Sequence, residues 1–431
     1  MPPDRFARLA ALRPARKHEP VAPESTRESA AEPDALLGLL GARVKRNRYG
    51  EHLEVRQWFS RPEACAPSAP ALDLLLREKP EHALDPTEWL FLDTETTGLA
   101  GGTGTYAFLV GLAWWEAGGL EVEQLFMRDH GEEHSLLLEL SRRMGERRVL
   151  VTFNGKSFDW PLLETRFRMT RAIPPRLPRT HLDLLHPARQ LWRLRLGSVR
   201  LRELERHVLG RDGVSLGWSR QDDIDSALIP QIYFDYLHSG RPESLVAVFR
   251  HNQMDLRGLA ALAGRILALL GEPEAFARAT ADVLELYGLS RLLGRSGNAR
   301  EARRLYERAL QAGLPGEVDR AARRELAVLA KRERDYARAT SLWEDLISGS
   351  NDGLEAYEQL AIYHEHHARQ PTRAAEFTRR ALAALGRARR AGLIEPARCR
   401  SFQARLEHRL ARLARITQPP KHRSLLEPPP P

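Results

Sequence analysis

The chain has 431 residues, 42% of them hydrophobic, and this length predicts two or three domains with sizeable cores. Its two cysteines, Cys65 and Cys399, are far apart, which excludes a disulfide framework or a cysteine-based zinc site. The net charge is +9, and the whole excess lies in residues 281–431, with 28 Lys and Arg against 19 Asp and Glu.

This basic region is typical of a surface that meets phosphates or acidic partners, or of a solvated helical face. The N-terminus lacks the apolar segment of a secretory signal, and no apolar run reaches the length of a membrane span. We therefore expect a cytoplasmic protein that does not contact membranes.

The composition divides the chain into five segments. Residues 1–34 and 415–431 are Pro-rich and lack periodicity, which predicts disordered tails. Residues 35–85 are interpreted as an N-terminal extension. Strand patterns at 89–92, 106–115, 120–126 and 149–153, with helical segments between and after them, predict an α/β domain over residues 86–270. Residues 271–414 are predicted to be helical throughout.

Two acidic residues follow the first predicted strand. Asp93 and Glu95 are two positions apart, so their side chains point to the same face of the strand. Two neighbouring carboxylates repel each other unless a cation lies between them, and an oxygen-rich site suits Mg²⁺ or Mn²⁺. A solvated strand end or a helix cap explains one such acid but not the pair.

Two further elements carry candidate ligands. Asp159 follows the strand at 149–153 and begins a helix, where a carboxylate is also a common cap. His251 and Asp255 are four positions apart in a predicted helix, so they share one helical face. Taken alone, these two are more typical of an exposed helical pair than of a site.

The three elements together resemble the motifs of DEDD 3′→5′ exonucleases, which have a ribonuclease-H-like fold. Asp93-Thr-Glu95, Asn154-x3-Phe158-Asp159 and His251-x3-Asp255 match the three motifs in order. The resemblance implies two Mg²⁺ or Mn²⁺ ions held by the four carboxylates, with His251 handling a proton. It also implies a substrate with a single-stranded 3′ end, of DNA or RNA. These enzymes usually place Tyr four residues before the last Asp, or His five before it, so the His251 spacing departs from both patterns.

With its Gly-rich segment at 101–104, its His181-Leu-Asp-Leu-Leu-His186 segment and its helical C-terminal region, the chain is similar to YprB-like proteins. Leu305, Leu342 and Phe377 lie in similar helical segments, with spacings of 37 and 35 residues. These spacings are near the 34-residue period of tetratricopeptide repeats, although an ordinary helical bundle remains an alternative. Such repeats would offer a surface for a protein partner.

Several residues are candidates for substrate contact. Thr96, Thr97 and Gly98 follow the first carboxylates, and Asn154 and Lys156 precede Asp159, although Asn154 also fits a turn and Lys156 an exposed loop. Residues 166–202 hold ten arginines around Trp192, which predicts a track with arginines on phosphates and an aromatic ring on a base. Asp183 is interpreted as a neighbour of the metal site or a structural residue. Asp222 and Asp223 are left without a role.

The main prediction is a metal-dependent exonuclease. The alternative is a scaffold that binds nucleic acid or a protein partner through the same fold and repeats without catalysis. The sequence does not decide between DNA and RNA, or between exonuclease and endonuclease action.

Overall fold

The computed structural model describes residues 35–417, except 61–66, 77–80, 99–102, 117, 172, 174–179, 211–217, 280–281 and 349–352. The tail predicted at 1–34 lies outside the described residues. The tail predicted from residue 415 begins inside the last helix, which extends to Thr417, and its remainder lies outside them. None of the described helices combines the length and apolar character needed to cross a membrane.

One mixed sheet forms the centre of the first half of the chain. Its strands are β1 (Arg43–Asn47), β2 (Gly50–Phe59), β3 (Trp89–Thr96), β4 (Ala107–Glu116), β5 (Gly119–Phe126), β6 (Val149–Thr152) and β7 (Thr180–Asp183). Their order across the sheet is β1-β2-β5-β4-β3-β6-β7. Strands β3, β6 and β7 are parallel, and the other pairs are antiparallel.

Strand β3 is in the interior of the sheet, where its apolar sequence suits it, and it pairs with β4 on one side and β6 on the other. Its first four residues are fully buried, as expected for a strand that is covered on both faces. The four predicted strands correspond to β3–β6, so these predictions are confirmed. Residues 35–85, interpreted as an extension, contribute β1 and β2 to the same sheet.

Helices cover both faces of the sheet. They are α1 (Ala35–Leu40), α2 (Ala69–Leu75), α3 (Glu133–Glu146), α4 (Asp159–Thr170), α5 (Leu185–Leu196), α6 (Leu201–Leu204), α7 (Ile229–Ser239), α8 (Leu245–Gly271) and α9 (Pro273–Ala279). Helix α8 joins two cores. Leu245, Val248 and Phe249 belong to the core with α3 and α4, and the apolar residues from Leu256 onwards belong to the core with α2 and α5.

The described residues after α9 form a helical region, as predicted. Its helices are α10 (Val283–Arg295), α11 (Ala299–Gln311), α12 (Gly316–Arg332), α13 (Tyr336–Ser348), α14 (Leu354–His366), α15 (Pro371–Arg390) and α16 (Pro396–Thr417). Leu305, Leu342 and Phe377 are buried on α11, α13 and α15, so the residues taken as equivalent lie on alternate helices. The tetratricopeptide assignment stays a prediction.

Helix α10 fixes the helical region to the α/β region through α5. Arg195 of α5 forms ion pairs with Asp282, at 2.9 Å, and with Glu285. Gly288 of α10 lies so close to α5 that a Cβ atom there would be 2.6 Å from the Leu191 carbonyl oxygen. One hydrophobic core continues from the sheet through α5 and α10 to α14.

Gly288→Ala is therefore expected to destabilise the protein by about 1–3 kcal/mol, because its Cβ meets backbone atoms that a side-chain rotation cannot move. Gly294→Ala on the same helix is the matched control. Its Cβ would have only ordinary contacts at 3.7 Å, so improved helix propensity should stabilise it by about 0.5–1 kcal/mol. Urea denaturation measures both, and equal effects would contradict the close approach of α5 and α10.

Candidate active site

The C-terminal half of β3 supplies the first two carboxylates. Asp93 and Glu95 point to the face of the sheet that α8 covers, and Glu95 is only 9% exposed. Thr94, between them, points the other way and donates its hydroxyl to Asp159 Oδ1 at 2.5 Å. The alternation of the strand thus places the two carboxylates on one face and Thr94 on the other, where Thr94 holds Asp159.

The second motif places Asp159 at the first residue of α4, where it is 6% exposed. The turn before it depends on Asn154, whose φ of 70° lies in the left-handed region that asparagine tolerates. Asp183 accepts hydrogen bonds from the backbone N–H groups of Asn154, Lys156 and Leu185 at 2.8, 3.1 and 3.0 Å. Asp183 thus holds the turn that presents Asp159, and, after burial, its charge also helps to raise the pKa of Asp159.

Helix α8 is locked to the sheet by Asn252. Its amide nitrogen donates to Asp93 Oδ2 at 2.8 Å, and its oxygen accepts from Gln124 Nε2 at 2.9 Å. Gly111 of β4 permits this approach, because a Cβ there would be 2.2 Å from Asn252 Oδ1. The neighbouring His251 and Asp255 are thereby held at the edge of the same cluster.

The carboxylates are close enough to disfavour their charged forms. Burial, together with the charges of Asp255 and Asp159, raises the pKa of Asp93 well above its usual range. Burial and the charge of Asp93 do the same to the pKa of Glu95. Burial raises the pKa of Asp159 to about 6, although the hydrogen bond from Thr94 opposes this shift. The charges of Asp159 and Asp255 thus reach both carboxylates of β3.

The raised pKa of Asp159 predicts how stability changes with pH. A carboxyl group whose pKa is raised on folding is most favourable when protonated, so its contribution is lost as the pH rises from about 4 through 6. Asn mimics the protonated form. The advantage of Asp159→Asn over the parent in EDTA should therefore grow by about 2–3 kcal/mol between pH 4 and 7. Urea denaturation measures this difference, and a pH-independent value would contradict the prediction.

Arg220 is a cation at this cluster that the sequence did not indicate. Its guanidinium binds both oxygens of Glu205 at 2.6 Å, Asp223 at 2.8 Å and Asp255 at 2.5 Å. Burial alone would lower the pKa of Arg220, but the hydrogen bond to Glu205 and the charge of Asp255 raise it. Gly258 of α8 makes room for Glu205, since a Cβ there would be 2.0 Å from Glu205 Oε1.

Asp223 is a second residue whose role the sequence left open. It accepts from His251 Nδ1 at 2.7 Å, and its side chain is 2% exposed. Burial would raise the pKa of Asp223, but the hydrogen bonds from Arg220 and His251 lower it, so this carboxylate is ionised. An ionised carboxylate only accepts, and therefore Nδ1 carries the hydrogen. In the neutral imidazole, Nε2 is then the accepting nitrogen; it lies 3.3 Å from Ser226 Oγ and 3.5 Å from Asp255 Oδ2.

The balance of charge fits bound divalent cations. The cluster contains six carboxylates, those of Asp93, Glu95, Asp159, Glu205, Asp223 and Asp255. Among the described residues, the permanently charged cation that pairs with them is Arg220. No described cation pairs with Asp93, Glu95 or Asp159. Carboxylate oxygens are the ligands that Mg²⁺ and Mn²⁺ prefer, so the donor set fits these ions. Within the described ranges, however, no three of the four predicted ligands have oxygens all within 4.8 Å of one another.

A different set of three carboxylates does have oxygens within 4.8 Å of one another. They are Glu54, Glu123 and Glu139, which could hold a metal by geometry. Basic side chains already neutralise these three: Lys45 and Arg56 pair with Glu54, Arg56 and Arg143 with Glu123, and Arg142 and Arg143 with Glu139. This group is an ion-pair network, and a metal would have to displace its arginines.

The prediction that Trp192 forms part of a nucleic-acid track is wrong. Trp192 is 1% exposed and belongs to the core, so its ring cannot stack on a base. Arg166 is also buried and pairs with Glu133, while Arg195 joins α5 to α10. Arg176 and Arg179 lie outside the described residues.

The remaining predicted substrate contacts are placed near the cluster. Thr97 exchanges hydrogen bonds with Tyr106, and Thr96 Oγ1 donates to the Gly98 carbonyl at 3.0 Å. These residues continue directly from Glu95. Lys156 is exposed beside the turn that leads to Asp159. Their contact with substrate stays a prediction.

Comparison with known proteins identifies the class of the first half of the chain. Residues 90–267 match RNase_H_2, a family of the RNase_H superfamily, in agreement with the mixed sheet and its helices. The described residues of the first half therefore have an RNase H-like fold, and a helical region follows it. The predicted fold class is confirmed.

Similarity to one curated protein covers a longer part of the chain than this domain. The chain is 32% identical over 283 residues to the uncharacterized protein YprB of Bacillus subtilis (strain 168). The match covers 64% of each protein, so the chain spans slightly less than two thirds of the length of this curated relative. This similarity agrees with the resemblance to YprB-like proteins.

Proposed function

We propose that the protein is a metal-dependent 3′→5′ exonuclease of the DEDD type that hydrolyses single-stranded DNA or RNA. One observation carries the proposal. Four carboxylates from three separate motifs converge beside β3, and the pKa values of three of them are raised by burial and by neighbouring carboxylates. Such an arrangement disfavours folding unless cations compensate its charge, and it is therefore a sign of function.

Asp93, Glu95, Asp159 and Asp255 would hold two Mg²⁺ or Mn²⁺ ions. When bound, such ions activate water for attack on phosphorus and neutralise the charge that develops on the leaving 3′ oxygen. Asn252 fixes the direction of Asp93, and Thr94 fixes that of Asp159. These two hydrogen bonds hold the ligands in place before substrate arrives.

His251 is the group placed to accept a proton from the attacking water. In the neutral ring Nδ1 would donate to Asp223, which would leave Nε2 as the acceptor. The ionised Asp223 fixes the ring orientation and stabilises the imidazolium that forms. Arg220 stays anchored to Glu205 and places a permanent positive charge beside Asp255. The four-residue spacing of His251 and Asp255 is thus compatible with a base, because Asp223 sets the ring orientation.

The test of the function uses linear and circular single strands of DNA and RNA, each with Mg²⁺, Mn²⁺ or EDTA. We expect release of 5′-mononucleotides from linear strands only, in the presence of metal only. Chromatography of the products measures this release and identifies the preferred sugar. Circular strands have no 3′ end, so their cleavage would show that the protein is an endonuclease and not an exonuclease.

The second candidate is a non-catalytic scaffold that binds nucleic acid or a partner protein. The basic helical region favours a binding role of this kind. Tight binding of the linear strands without nucleotide release in either metal would establish the scaffold and exclude the exonuclease.

A further inference from the structure

Two adjoining cavities lie on the helical region, with volumes of about 430 and 580 Å³. Both are lined by Arg324, Val328, Arg332 and Glu355, so they form one continuous depression. Their other lining residues come from α10, α11, α12, α13, α14 and α16. We call this depression the helical groove.

The groove has an excess of positive charge that its own acids do not neutralise. Each of its three glutamates is already paired: Glu325 with Arg291 at 3.3 Å, Glu355 with Arg398 at 2.7 Å and Glu358 with Arg405 at 3.2 Å. Arg295, Arg324 and Arg332 also line it, and all three are exposed. These three arginines have no acidic partner in the part of the chain that the structure describes.

The unpaired arginines are arranged along the groove. Arg324, Val328 and Arg332 are four residues apart and share one face of α12, so the two arginines are separated by about 12 Å. Arg295 adds a third charge from the end of α10. Guanidinium groups bind phosphate oxygens through two hydrogen bonds, and a row of them matches a polymer with regularly spaced phosphates.

The apolar surface of the groove favours a phosphate backbone over a peptide. Its aromatic residues Tyr306, Trp343 and Phe402 are 2%, 3% and 6% exposed, so they present little ring area for a side chain or a base. Val328, at 44%, is its exposed large hydrophobic residue. A peptide would need apolar anchor pockets, whereas a nucleic-acid backbone needs mainly cations.

We propose that the helical groove binds the phosphate backbone of single-stranded nucleic acid through Arg295, Arg324 and Arg332, without reading its sequence. The choice of ligand rests on the proposed function. Binding to the groove does not require catalysis, and it adds affinity for long strands that the cluster beside β3 does not provide.

The experiment measures binding in EDTA, so a failure of the nuclease function does not affect it. Fluorescence anisotropy reports the affinity of the full chain for 5′-fluorescein-labelled dT30 and rU30 at several salt concentrations. We expect Arg295→Ala/Arg324→Ala/Arg332→Ala to weaken binding by about tenfold or more. The slope of log affinity against log salt should also become shallower by about 2, because three phosphate contacts are lost.

The matched control is Arg308→Ala/Arg379→Ala/Arg387→Ala, which removes three exposed arginines that do not line the groove. It loses the same charge and should keep the parent salt slope, and circular dichroism checks the helical content of both variants. Equal effects of the two triple variants would overturn the proposal, since general charge would explain the binding. Stronger capture of a fluorescent poly-glutamate peptide than of dT30 and rU30, lost in the groove variant, would assign the groove to an acidic protein instead.

Discussion

Asp93→Asn is expected to abolish metal-dependent cleavage and, at the same time, to stabilise the protein in EDTA. Burial is the largest cause of the raised pKa of Glu95, and the charge of Asp93 is the second largest. Removing it relieves repulsion, while the asparagine oxygen still accepts from Asn252. We expect a gain of about 1–3 kcal/mol at pH 7 in the free energy of unfolding. Loss of metal-assisted charge stabilisation, worth several kcal/mol, should lower the rate by about 10³-fold or more.

Thermal denaturation with and without Mn²⁺ measures the first effect, and nucleotide release measures the second. Mn²⁺ should stabilise the parent by about 3 kcal/mol at a hundredfold excess over its dissociation constant, and stabilise the variant much less. Glu123→Gln is the matched control at another buried carboxylate of the sheet. Arg56 and Arg143 lose one acidic partner but keep Glu54 and Glu139. Glu123 is not one of the predicted metal ligands, so this variant should keep the metal response of the parent. Destabilisation by Asp93→Asn in EDTA would contradict the idea that repulsion dominates this cluster.

Asp223→Asn is expected to lower kcat by about 10²-fold with a KM change of less than about threefold. The amide oxygen can still accept from His251 Nδ1, but the amide NH2 cannot accept from Arg220, and the negative charge that stabilises the imidazolium is lost. Substrate binding is not changed directly, because Asp223 is buried behind the histidine. Steady-state kinetics with a fluorogenic single strand measures both constants.

Asp222→Asn changes the neighbouring acid, which is exposed, and should leave kcat unaltered. Asp223→Glu retains the charge and should recover part of the activity that the asparagine variant loses. If Asp223→Asn keeps kcat within about threefold of the parent while remaining folded, Asp223 has only a structural role. The assignment of His251 as the proton acceptor would then lose its support.

The central strands could be predicted because apolar sequence and short strand length coincide there. Residues 43–59 carried a weaker signal. In β2, Leu53 and Val55 alternate with Glu54 and Arg56, a period of two that is typical of a strand with one buried face. Many charged neighbours obscured this pattern, so β1 and β2 were not predicted to belong to the sheet.

The four metal-ligand candidates could be found because each lies next to a secondary-structure boundary or on a helical face. The roles of Arg220, Glu205 and Asp223 could not be found from the sequence. Arg220 reaches Asp255 over 35 positions of sequence, and its geometry depends on contacts with Glu205 and with α8. Nothing in the local pattern around Trp218 and Arg220 distinguishes a buried, triply paired arginine from a surface one.

Trp192 shows how composition misled the interpretation. Ten arginines nearby suggested a nucleic-acid track, yet Leu185, Ala188, Leu191 and Trp192 recur at helical spacing on the buried face of α5. This periodicity was visible in the sequence and indicated a core position. The arginines nearest to it instead pair with acids of neighbouring elements or extend into solvent.

The most direct test of the central claim follows a 5′-labelled single strand during incubation with the parent and with Asp93→Asn, in Mg²⁺, Mn²⁺ and EDTA. Denaturing electrophoresis resolves the products by single nucleotides. The proposed function predicts a ladder that shortens steadily from the 3′ end, requires metal and is absent with Asp93→Asn. An intact strand in both metals, or an identical ladder from the variant, would contradict the assignment of this cluster as an exonuclease site.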